Sequence, residues 1–129
     1  MRSKSTSALL FALALSSGTA PASAAEPRIR ILVQASPLAG SQFHALPRLQ
    51  SRLRPGDRLD LVREPDNPHY PFAVRVEWQG HMLGYVPRKE NRAVAAALDR
   101  GTPVSARITR LTDHPDPWQR LAFEILVEL

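Results

Sequence analysis

Polar and apolar residues alternate along most of this chain, and the alternation predicts strands. Arg28 to Gln34 sets Ile29, Ile31 and Val33 between polar or charged neighbours, the pattern of a half-buried strand, and Pro37 and Gly40 interrupt it with a bend or bulge. Arg58 to Arg63 alternates again with Leu59 and Leu61 on one face. Phe72 to Trp78 puts Phe72, Val74, Val76 and Trp78 on one face, and Gln79-Gly80 turns the chain back through His81 to Val86, which predicts a hairpin. Val104, Ala106 and Ile108 mark a further strand, and Leu121, Phe123, Ile125 and Val127 the last.

Helical spacing is confined to one stretch. Pro87 to Arg100 carries Val94, Ala97 and Leu98 on one face, Pro87 suits a first turn, and Gly101 suits a left-handed stop. Leu46, Leu49 and Leu53 fit either one helical turn or a loop pinned to the core. The turn Glu64-Pro65-Asp66-Asn67-Pro68 is rigid for a physical reason: two prolines fix φ, and Asp or Asn side chains bond the backbone just ahead. The expected fold is mostly β, a small, closed or nearly closed barrel of about six strands with one main α-helix.

Composition narrows this further. Twelve prolines suit short strands and stiff turns. The chain has 0 cysteines, which excludes disulfides and thiolate metal sites. The N-terminus reads as a leader: Arg2 and Lys4 precede the apolar run Ala8 to Leu15, and Ala22-Ser23-Ala24 is a peptidase-type end. That run is shorter than the ~20 residues of a membrane span. The expectation is a signal peptide over 1–24, a single domain over 25–129, and an exported, periplasmic or extracellular protein with no membrane span. Losing Arg2 and Lys4 lowers the net charge from +5 to +3 (17 − 2 basic against 12 acidic residues). The basic residues left are mostly arginine, whose planar fork suits phosphate and carboxylate oxygens.

Catalytic chemistry finds little support. There is no G-x-S-x-G elbow, no H-x-x-x-H or H-E-x-x-H, no phosphate-cradling glycine motif and no cue for a facing carboxylate pair. His44, His69, His81 and His114 are scattered without ligand spacing. The expectation is therefore no catalysis of its own, no cofactor and no metal. What remains is a recognition surface of aromatic and basic residues.

Three separated elements carry a resemblance. Leu61-Val62-Arg63-Glu64-Pro65-Asp66-Asn67-Pro68, then Ala73-Val74-Arg75-Val76, then Leu83-Gly84-Tyr85-Val86-Pro87 together resemble a HIRAN domain, and Gly40-Ser41-Gln42-Phe43-His44 is similar to that family's glycine-aromatic segment. The resemblance implies an OB-like barrel that captures the 3′ end of single-stranded DNA. It implies a pocket formed by Gln42, Phe43, His69, Tyr70, Tyr85 and Arg88. Gln42 stands where DNA-binding members carry arginine, Tyr70 where they carry aspartate, and Phe72 where they carry a polar residue. The expected partner is single-stranded DNA; the alternative is an envelope protein or glycan that uses the barrel without the DNA pocket.

Overall fold

The computed structural model describes residues 29–129, so the expected leader over 1–24 lies outside the described residues. The strands are β1 (Arg30–Pro37), β2 (Arg58–Arg63), β3 (Val74–Trp78), β4 (His81–Tyr85), β5 (Val104–Leu111) and β6 (Leu121–Glu128). Two α-helices join them, α1 (Leu46–Leu49) after β1 and α2 (Asn91–Asp99) after β4. Short 3-10 turns lie at Ser41–Phe43, Gln50–Arg52 and Pro117–Gln119. Every strand pairing is antiparallel, in one sheet of order β1-β6-β5-β2-β3-β4.

The alternation works as physics requires in β3 and β6. In β3, Val74, Val76 and Trp78 are buried while Arg75 and Glu77 lie between them, half-buried. Phe123 and Ile125 of β6 point into the same core, which Leu38, Leu46, Leu53, Leu59, Leu83, Ile108 and Leu121 fill to near-zero exposure. The leucine trio after β1 resolves as helical: Leu46 and Leu49 sit on α1, and Leu53 follows the adjoining 3-10 turn.

Three expectations need correction. The sheet is not closed: β1 and β4, its two edges, share no ladder. They are tied by a single bridge between Ala39, just past β1, and Tyr85 at the end of β4, with both backbone bonds at 2.9 Å. Gly84 makes that approach possible, because a β-carbon there would lie 2.4 Å from the Ala39 carbonyl oxygen. Gly40, with φ of 69°, then swings the chain away into the 3-10 turn, which ends the pairing after one residue.

The second correction concerns β1. Ile29, Ile31 and Val33 are exposed, as is Leu32 between them. The register slips between Leu32 and Gln34, and past this bulge the inward positions are Ser36 and Leu38. The helix also starts later than its proline suggests. Glu90 N–H bonds back to the Pro87 carbonyl at 2.9 Å, so Pro87 to Glu90 form a turn ahead of α2.

Candidate functional site

A cavity of about 660 Å³ opens where the Ala39–Tyr85 bridge, the β2–β3 loop, the turn before α2 and the β5–β6 loop meet. Its volume falls within the 300–1,000 Å³ typical of ligand pockets. Phe43, His69, Tyr70, Tyr85 and Arg88 all line it, so five of the six expected site residues converge from four separate segments. Gln42 does not reach it. A 3-10 turn has three residues per revolution, so Ser41, Gln42 and Phe43 face three directions. Ser41 is buried, Phe43 lies on the cavity wall at 79% exposure, and Gln42 is left to solvent.

The β2–β3 loop is held by its own side chains. Asn67 Oδ1 accepts the backbone N–H groups of His69 and Tyr70 at 2.9 and 3.0 Å. Asn67 Nδ2 donates to Glu64 Oε1 at 3.0 Å, which ties both ends of the turn together. This is the Asx geometry that the E-P-D-N-P segment predicts, and it fixes where His69 and Tyr70 stand. The Tyr70 ring then carries the Arg88 guanidinium at 3.9 Å from its centre, a cation–π contact that holds the arginine at the cavity wall.

Glu64 organises the floor. The Tyr85 hydroxyl donates to its Oε1 at 3.0 Å, and Arg75 Nη1 donates to its Oε2 at 3.2 Å. Burial, then this bond to the Glu64 carboxylate, hold the Tyr85 phenol above its ordinary value of 10.0. Tyr85 is thus a neutral phenol whose proton is already committed, with its ring edge against His44 at 5.8 Å. A carboxylate that already accepts from Asn67, Arg75 and Tyr85 is poorly placed to abstract a proton from a substrate.

Trp118 is a residue the sequence reading passed over. It lines the cavity at 51% exposure, presented by the Pro117–Gln119 turn, and Asp116 Oδ1 caps that turn by accepting Trp118 N–H at 3.1 Å. The signal was available: an aromatic in a polar, proline-rich loop is hard to bury, the same property that marks Tyr70. Asn67 and Asn91 complete the polar lining. Among the described residues, no group of three or more His, Asp or Glu side chains comes together to hold a metal, and no helix is long and apolar enough to cross a membrane.

A curled antiparallel sheet with an aromatic cavity at its seam defines the molecule as a small OB-like binding domain. The chain belongs to the HIRAN domain family, whose model matches residues 31–129. A Fanconi-associated nuclease 1 homolog from Oryza sativa subsp. japonica is 36% identical over 67 residues, which are 49% of this chain and 6% of that protein. The chain therefore spans a small fraction of that relative. Among solved structures, a protein from Lactobacillus plantarum superposes with a TM-score of 0.68 at 23% identity, covering 79% of this chain and 98% of that one. The HIRAN domain of human HLTF superposes with a TM-score of 0.61 at 13% identity, covering 77% and 78%. At these identities the structural likeness speaks for the fold.

Proposed function

We propose that this domain binds single-stranded nucleic acid without catalysis of its own, seating a terminal base in the aromatic cavity. The observation that carries this reading is the convergence of Phe43, His69, Tyr70, Tyr85 and Trp118 on one cavity with the Arg88 guanidinium held over the Tyr70 ring. Aromatic faces accept any base, at about 1–3 kcal/mol for each stack. An arginine held by a ring keeps its N–H edge for phosphate oxygens. Membership of the HIRAN family, with its implied capture of single-stranded DNA, and a relative named as a nuclease support the same ligand class.

Recognition of a 3′ hydroxyl belongs to this proposal. With Tyr70 in place of the family's aspartate, the group left to hold the terminal hydroxyl is a phenol, which stacks as well as bonds. The test is fluorescence anisotropy with short single-stranded DNA ending in either a 3′ hydroxyl or a 3′ phosphate. Tight binding that weakens with the 3′ phosphate supports end capture. Binding that ignores the end but falls steeply with salt leaves strand binding alone. No binding at low salt removes the nucleic-acid reading.

A second reading draws on one observation, the exposed apolar edge formed by Ile29, Ile31, Leu32 and Val33. Such an edge suits a protein partner. Together with the leader expected over 1–24, it supports an envelope interaction module as the alternative, which gains if no nucleic acid binds.

A further inference from the structure

We infer that the site has a second compartment, which takes the next nucleotide of a strand and the phosphate that joins it to the first. This inference rests on the nucleic-acid reading above and extends it. A groove of about 490 Å³ adjoins the aromatic cavity, lined by Tyr70, Pro71, Phe72, Arg88, Lys89, Asn91 and Arg92. Tyr70, Arg88 and Asn91 line both spaces, so the stacked Tyr70–Arg88 pair is the partition between them.

The second space repeats the construction of the first. Arg92 lies over the Phe72 ring at 4.7 Å, as Arg88 lies over Tyr70 at 3.9 Å. Each pair offers a flat apolar face and a held guanidinium, the two groups that a base and its phosphate require. Among the described residues, no ion pair links Arg88, Lys89 or Arg92 to a carboxylate. Three cations thus stand together, free to exchange counterions for phosphates.

Asn91 sits at the junction and points to the same ligand. It is only 5% exposed, it borders both spaces, and its side chain makes no hydrogen bond among the described residues. Its carboxamide therefore keeps both donor and acceptor capacity for a ligand that enters either space. A phosphate or base edge crossing from one compartment to the other would supply what its carboxamide lacks. Phe72 also finds its use here: the polar-to-aromatic departure at this position builds the second platform.

Isothermal titration of the full chain with thymidine, which lacks the joining phosphate, and with a thymidine tetranucleotide tests this, comparing the parent with Arg92→Gln and Phe72→Leu. Both replaced side chains are exposed, so both variants fold. The expected result is unchanged affinity for the nucleoside, which needs one compartment, and about a tenfold loss for the tetranucleotide, from a lost charged contact in Arg92→Gln and a lost stacking face in Phe72→Leu. Arg92→Gln also lowers the salt slope for the tetranucleotide by about 0.7. Full tetranucleotide affinity in both variants overturns the second compartment while leaving the first intact, as does an equal loss on both probes. A parent chain that binds neither probe at low salt overturns the underlying reading as well.

Discussion

In the groove bordered by β2 and β5, Arg30, Arg58 and Arg107 line a space of about 430 Å³, and each faces a carboxylate. Arg30 pairs with Glu128 at 3.3 Å and Arg58 with Asp60 at 3.5 Å, while Arg107 pairs with Glu124. Beside the aromatic cavity, Arg88 and Arg92 face rings instead. The difference comes from where each residue sits. Arg30 and Arg107 are on paired strands, directly opposite Glu128 and Glu124 in register, where cross-strand neighbours of opposite charge stabilise the sheet. Arg88 lies in the turn that precedes α2 and Arg92 on its first turn, with no strand opposite to supply an acid. Net charge alone therefore says little about nucleic-acid binding here. What matters is that one set of arginines is already neutralised and the other is only held in place.

The largest expected effect comes from the seam that the cavity depends on. Gly84→Val places a side chain against the Ala39 backbone, where even a β-carbon would be 2.4 Å from the carbonyl oxygen. A loss of about 1–3 kcal/mol in urea unfolding is expected, together with loss of single-strand binding. Unchanged binding would show that the cavity does not need the bridge.

Next come the rings. Trp118→Ala is expected to weaken single-stranded DNA binding by about 1–3 kcal/mol without moving the unfolding midpoint, since Trp118 is half exposed. The two arginine sets are compared directly by Arg88→Gln and Arg107→Gln in salt titrations of DNA affinity. The first is expected to lower the slope by about 0.7 and the second to leave it unchanged. Equal changes would erase the distinction between the grooves.

The smallest effect concerns pH. A phenol whose folded value is raised adds stability that is fully present below its unfolded value, near 10.0, and lost as pH rises through the folded one. Parent minus Tyr85→Phe stability, from urea midpoints, should therefore be flat from neutral pH up to that point and decline above it. A difference that grows in alkali would contradict the bond to Glu64.

Much of this molecule was legible in advance, for reasons that also mark where legibility stops. The hairpin at Gln79-Gly80 and the alternation of β3, β5 and β6 follow from local sterics and side-chain period, which act within a few residues. The same period named the wrong covered face in β1, because alternation tells which residues share a side, not whether anything packs on it. Pro87 marked a helix start that lies instead at Asn91, since the turn it opens was as compatible with proline as a first helical turn. At the site, Phe43, His69, Tyr70, Tyr85 and Arg88 were named through a motif, and their meeting depends on long-range pairing that no local pattern encodes. Trp118 was missed because its loop belongs to none of the quoted motifs. Gln42 was named through the same motif, yet it faces solvent, because a 3-10 turn sends adjacent side chains apart.

The seam at Ala39 and Tyr85 is the clasp of this open, curled sheet, and it is one residue wide. Everywhere else, neighbouring strands share ladders of at least two residue pairs. Ala39 and Tyr85 both form part of the cavity wall. A guest lying across them touches both free edges of the sheet at once and adds its own contacts to the two backbone bonds that join them. Filling the cavity and tightening the clasp are then one event. The amide protons of Ala39 and Tyr85, each bonded to the other's carbonyl, are the two whose exchange with solvent reports it.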